Sequence, residues 1–145
     1  DIVAHRGITE SIHSGSTAES QNVVGHFMKK AGDGFIFANF IDFDMLYGHR
    51  RDSAGYAAAL RQTDAWLAGF LGTLAEGDVL MLTADHGNDP TYRGTDHTRE
   101  FVPLLVHRPG QPGRSLGVRD GFHDVAQSVC NLFGLGAPPR GRPFL

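Results

Sequence analysis

The sequence has 145 residues, enough for one ordinary domain, and its 41% hydrophobic and 20% charged content sets it apart from disordered and fibrous chains. Its 13 Lys and Arg against 16 Asp and Glu leave a net charge of -3, which argues against a nucleic-acid-binding surface. A single cysteine, Cys130, rules out an internal disulfide framework and fits a reducing, cytoplasmic compartment. No apolar run reaches the roughly 18–20 residues that span a membrane, and Asp1–Arg6 lacks the pattern of a secretory signal.

In chain order, a short apolar run at Ile2-Val3-Ala4 precedes a turn-rich stretch from Arg6 to Thr17, long enough to suggest a functional loop. Val23, Val24, Phe27 and Met28 give one apolar face to a helix expected over 18–31, which Gly32-Asp33-Gly34 would stop. The run Phe35–Ile41 reads as a strand buried on both faces of a parallel sheet, and Asp42 to Asp52 as a polar loop. A long helix is expected over 54–76, ending near Gly77. Strands are expected at 79–83 and 101–106, with Pro103 marking an edge or a bulge in the second. A Gly/Pro/Arg loop spans 110–117 and a last helix 122–133. Strands alternating with helices predict an α/β fold, a layered sheet with helices on both faces. Ligands of such sheets sit at the carboxyl ends of the strands, here just after Ile41 and Thr83.

Three segments gather metal-ligand chemistry: Asp42 to His49, Asp85-His86, and Thr95 to Thr98. Carboxylates with imidazoles suit divalent first-row metals, and several carboxylates suit a pair of them, the arrangement that clamps phosphoryl oxygens. An isolated Asp-His pair is more often a solvated loop or a cap. The case rests on three such segments, two of them following strands expected to point the same way. His5, His13 and His26 lack such neighbours, His107 suits an exposed loop, and Asp124 beside His123 reads as a cap of the last helix. Cys130 reads as an inert buried thiol, and Trp66 and Phe70 as helix packing.

The segments Phe40-Ile41-Asp42-Phe43-Asp44-Met45-Leu46-Tyr47-Gly48-His49-Arg50-Arg51-Asp52, Thr83–Thr91 and Gly94–Pro103 closely resemble stretches of bacterial phosphopentomutases, of the alkaline phosphatase superfamily. Arg6–Glu10 and Arg142–Leu145 are similar to further stretches, so the resemblance runs over essentially the whole chain. Thr-Ala-Asp-His-Gly alone is shared across the superfamily, including cofactor-independent phosphoglycerate mutases; the combination of segments is specific.

The resemblance implies an isomerase of nucleoside catabolism that interconverts ribose 1-phosphate and ribose 5-phosphate, and the deoxyribose forms, through two divalent metals, usually Mn2+, and a phosphothreonine. It matches Asp44, His49 and His97 to one metal and Asp85 and His86 to the other. Asp44 is chosen over Asp42 because the family pattern runs Asp, four residues, His. Asp42, Asp96 and Arg99 then support ligands or order loops. Family members are much longer. The resemblance implies that residues 1–145 form the C-terminal part of the metal-binding core domain. It places a further aspartate ligand, the nucleophilic threonine and the sugar-gripping cap domain outside the chain. Thr9, Thr83, Thr95 and Thr98 do not match the nucleophile's motif. The fragment alone is expected to be inactive, to hold one metal weakly at Asp44, His49 and His97, and to self-associate through an exposed sheet edge. Its substrate in the intact enzyme would be a pentose phosphate, with no nucleic-acid or membrane partner. The rival readings are another metal-dependent phosphomutase or phosphatase of the superfamily, and a non-catalytic domain that binds metal or partners with another chain supplying the missing half.

Overall fold

In the computed structural model, which describes residues 6–30 and 32–145, the chain forms two units, the first ending at Pro109 and the second running Gly110–Leu145. Ile2-Val3-Ala4, His5 and Ala31, singled out in the sequence, lie outside the described residues.

In the first unit, Ser16 opens helix α1 (Thr17–Phe27) by accepting from the Glu19 N–H at 3.2 Å, while the Glu19 carboxylate accepts from the Gly15 N–H at 2.7 Å. These contacts satisfy backbone donors that a helix start would otherwise leave unpaired. The helix ends short of the expected boundary because the chain tightens into three-residue turns, Lys29 N–H to His26 O at 3.2 Å and Lys30 N–H to Phe27 O at 3.0 Å.

The expected strand over Phe35–Ile41 does not form. Phe35 and Phe37 are 63% and 64% exposed, and no described residue pairs with this segment in a ladder. A strand exists only where a neighbour takes up its backbone groups; apolar composition alone cannot supply one. The Asn39 carbonyl instead accepts from the Ser20 hydroxyl at 3.3 Å, and Phe40 meets Trp66 edge-on at 5.7 Å.

Helix α2 (Ser53–Leu71) starts at Asp52, whose carboxylate accepts from the Gly55 N–H at 2.8 Å. Trp66 stacks on Phe70 at 4.7 Å, the packing role expected of both, and Phe70 and Ala59 are buried. The helix stops at Leu71, ahead of the expected end at 76. There the Thr73 hydroxyl and N–H both donate to the Phe70 carbonyl, at 2.7 and 2.9 Å, and compete with its helical partner. Gly77, at φ 99°, then reverses the chain in a conformation that favours glycine.

Strands β1 (Leu80–Thr83) and β2 (Leu104–His107) form an antiparallel pair, with Leu80 opposite His107 and Thr83 opposite Leu104. Pro103 falls just before β2, where its missing N–H costs no ladder bond, so the strand starts later than 101. The fold is α/β, but its described sheet is two-stranded and antiparallel rather than layered and parallel. Leu67 and Leu71 of α2 line an apolar notch with Leu80, Leu82, Leu105 and Val106.

In the second unit, helix α3 (His123–Leu132) has no side-chain cap. Asp124, expected to cap it, instead binds the tail. Its carboxylate accepts from the Arg142 N–H at 2.8 Å and from Arg119 Nε at 2.7 Å. The fully buried Ser128 hydroxyl donates to the Asp124 carbonyl at 2.8 Å and accepts from the Phe144 N–H at 2.9 Å. Cys130 is half-buried rather than buried. Among the described residues no helix is long and apolar enough to cross a membrane.

Candidate metal centre

The segment expected to be a polar loop is a π-helix, Phe43–Gly48. The His49 N–H reaches back five residues to the Asp44 carbonyl at 3.0 Å, and the Asp52 N–H to that of Tyr47 at 2.9 Å. In an α-helix a residue five positions on lies about 140° around the axis. The wider π-turn brings it back under its partner, so Asp44 and His49 present their side chains together. Arg51, at φ 57°, turns the chain from the π-helix into the Asp52 cap of α2.

The second segment leaves the end of β1 and the third returns towards β2. A bridge between Gly87 and Thr98 holds them, the Thr98 N–H donating to the Gly87 carbonyl at 2.9 Å. The Asp89 N–H adds a bond to the Thr98 hydroxyl at 2.7 Å, and that hydroxyl also meets the Glu100 carboxylate. Asp89 accepts from the Thr91 hydroxyl and N–H, which hold its carboxyl below the usual carboxylate range. Gly87 must be small: a Cβ there would stand 2.7 Å from the Thr98 carbonyl oxygen.

Asp44, His86 and His97 each offer a ligand atom, and the three atoms lie within 4.8 Å of one another. His49 adjoins them, its Nε2 lying 3.3 Å from Asp44 Oδ2 and 3.2 Å from His97 Nε2. His97 Nε2 is 3.4 Å from Asp44 Oδ1, and the His86 and His97 rings stack with centroids 3.6 Å apart. His49 Nδ1 lies 2.5 Å from the Thr95 carbonyl oxygen. A carbonyl only accepts, so Nδ1 carries the proton, and in neutral His49 Nε2 turns its lone pair towards Asp44 and His97. Lone pairs so convergent need a cation or protons between them, and one carboxylate with three imidazoles is a donor set that a divalent first-row metal fits.

Of the sequence-predicted ligands, the structure thus gathers Asp44, His49, His86 and His97. Asp85 stands apart from that cluster: its side chain is 71% exposed, with its carboxylate 3.6 Å from His86 Nε2. Asp42 accepts from the Thr17 N–H at 2.9 Å and so anchors the start of α1 to the π-helix.

Two neighbours were not singled out by sequence. Asn88 donates from Nδ2 to Asp44 Oδ1 at 2.6 Å. Tyr56, edge-on to Phe43 at 5.5 Å, has its hydroxyl pKa raised, first by burial and then by the negative charges of Asp44 and Asp89. Asn88 sits two residues beyond His86, inside the stretch Thr83–Thr91; Tyr56 falls within the helix expected over 54–76 and carries no motif signal.

A family model described as the metalloenzyme superfamily matches residues 1–137. The chain belongs to the metalloenzyme superfamily. It is 47% identical over 146 residues to a phosphopentomutase of Agrobacterium fabrum, covering 100% of this chain and 36% of that protein. A phosphopentomutase of Anaeromyxobacter dehalogenans is 50% identical over 135 residues, 93% of this chain and 35% of the relative. One from Caldanaerobacter subterraneus is 47% identical, covering 100% and 37%. The chain therefore spans little more than a third of the length of the curated relatives it matches. Membership of this superfamily accords with divalent-metal use at the cluster around Asp44.

Proposed function

We propose that residues 1–145 are the C-terminal, metal-ligating part of a phosphopentomutase core, acting on ribose 1-phosphate and ribose 5-phosphate and their deoxyribose forms. The observation that carries this reading is the convergence of Asp44, His86 and His97, from three separate segments, within 4.8 Å. Identity near one half to proteins named phosphopentomutase, over all or nearly all of the chain, supports the substrate class.

Asp44, His49 and His97 would hold one Mn2+, and Asp85 and His86 would contribute to a second, with His86 near enough to serve either. When bound, the metals supply Lewis-acid stabilisation of phosphoryl oxygens and activation of an oxygen nucleophile. The chain's own task is to fix the ligands. The π-turn aligns Asp44 with His49, and Thr95 sets the proton of His49 on Nδ1. The Gly87–Thr98 bridge keeps His86 beside His97. The hydroxyl of Thr98 is engaged by Asp89 and Glu100, which supports reading it as a structural group rather than a nucleophile. The phosphorylated threonine and the sugar-gripping cap belong, on this reading, to the part of the relatives that the chain does not span.

The test is a Mn2+ titration of the purified chain beside Asp44→Ala and His97→Ala. Binding near one equivalent, lost in both variants, is the expected result; no saturable binding overturns the proposal. Ribose 1-phosphate is expected to persist on incubation with the chain, and its conversion would show that no further segment is needed.

A further inference from the structure

We propose that Asn88 is a positioning residue for Asp44, fixing the orientation in which its carboxylate faces the imidazoles of His49 and His97. The inference rests on the metal reading above and assigns a role to a side chain that is itself no ligand. An ionised carboxylate only accepts, so the 2.6 Å contact to Asp44 Oδ1 is a donation from the Asn88 amide. It takes up one acceptor position on Oδ1, the oxygen that also lies 3.4 Å from His97 Nε2. The other, Oδ2, is the one beside His49 Nε2 at 3.3 Å.

Asn88 is held from both sides. Its backbone follows the Gly87–Thr98 bridge, and the next N–H, that of Asp89, is tied to the Thr98 hydroxyl. Its side chain packs close to Gly48 of the π-helix, where an added Cβ would stand 2.5 Å from Asn88 Cγ. Gly48 is buried, and it is absent from the glycines with positive φ, so space rather than backbone freedom demands glycine there. The π-helix thus carries a slot for this amide next to the carboxylate it binds. A neutral amide suits the task. It donates a hydrogen bond at any pH, yet adds no positive charge that would oppose a metal ion. Partners of this kind fix ligand orientation, and their loss typically weakens metal binding about 10–100-fold.

The test uses the chain with Asn88→Leu, which keeps the volume and removes the donor, and a cycle of Gly48→Ala, Asn88→Ala and the double variant. Mn2+ affinity is read by the electron-spin signal of the free ion, site geometry by the visible absorption of bound Co2+, and folding by metal-free melting. Asn88→Leu is expected to lower Mn2+ affinity about 10–100-fold and to change the Co2+ spectrum while still melting cooperatively. Gly48→Ala, by displacing the amide, is expected to lower affinity alone but to add nothing in the Asn88→Ala background, the non-additivity of groups acting through one contact. If wild type binds Mn2+ and Asn88→Leu binds equally with an unchanged Co2+ spectrum, the positioning role fails alone. So it does if the two cycle effects simply add. A wild-type chain that binds no Mn2+ overturns the metal reading and the positioning role together.

Discussion

His49 stands one π-turn beyond Asp44, and two contacts join them: its N–H donates to the Asp44 carbonyl at 3.0 Å, and its Nε2 lies 3.3 Å from Asp44 Oδ2. The backbone bond fixes the spacing at which the side chains meet. On a π-helix the Asp-x4-His interval brings the two side chains together, whereas an α-helix would turn them to different faces.

His49→Ala removes a nitrogen from the cluster without disturbing the backbone bond that forms the π-turn. Mn2+ affinity is expected to fall by at least about 10-fold, with helix content by circular dichroism unchanged. Equal binding by the variant would show that Asp44, His86 and His97 suffice.

His86 and Asp85 are adjacent in sequence but differ in surroundings: His86 stacks on His97 at 3.6 Å, whereas the Asp85 side chain is 71% exposed. In this chain His86→Ala is expected to weaken the first equivalent of Mn2+ more than Asp85→Ala does. A calorimetric titration that ranks them the other way would place the tighter site at Asp85.

The three candidate segments were legible in the sequence because residue type is local to a motif, but the choice of Asp44, His49, His86 and His97 within them came from the family resemblance. The helices were legible too, to within their last turns, where Thr73 and the turns after Phe27 decide the end. Phe35–Ile41 was not, since a buried strand and an exposed apolar stretch share one composition and differ only in having neighbours. The π-helix was hidden for the opposite reason: Asp42, Asp44 and Gly48 look like loop residues, and the five-residue backbone bonds leave no mark in composition. Asp124 was misread as a cap because its partners, Arg119 and Arg142, are not its neighbours along α3.

Ser128 is fully buried, and its hydroxyl is the partner of the buried Phe144 N–H. Ser128→Ala leaves that N–H unpaired, a loss of about 1–3 kcal/mol. Thermal unfolding should shift down accordingly, and faster amide exchange at Phe144 should accompany it. An unchanged melt would mean that water replaces the hydroxyl.

Asp124 gives the second unit an acid-sensitive tie. The Arg142 N–H, the largest influence, lowers its pKa below 3.8; burial opposes this, and Arg119 adds to the lowering. The unfolded chain then binds the proton more readily than the folded one, so the stabilisation is present above 3.8 and lost as pH falls through the lower folded value. Melting temperatures of wild type and Asp124→Asn should therefore differ by a steady gap well above pH 3.8 and converge only as pH falls below it. A gap that persists in acid would assign the tie to packing instead of charge.

Phe35 and Phe37 are 63% and 64% exposed, and Leu105 of β2 is 60% exposed. Each strand of the two-stranded sheet also has one edge without a partner among the described residues. Exposed apolar side chains and open strand edges each favour association. On the proposed reading, the part of the relatives that this chain does not span covers them. The purified chain is expected to bind an apolar dye such as ANS and to sediment as a concentration-dependent oligomer. Phe35→Glu with Phe37→Glu should reduce both, because a charge on an exposed extended segment opposes pairing with a second copy. Mn2+ binding should be unaffected by these substitutions, since neither residue belongs to the Asp44, His86 and His97 group. A monodisperse monomer that binds no dye would mean that these side chains find cover within the chain itself.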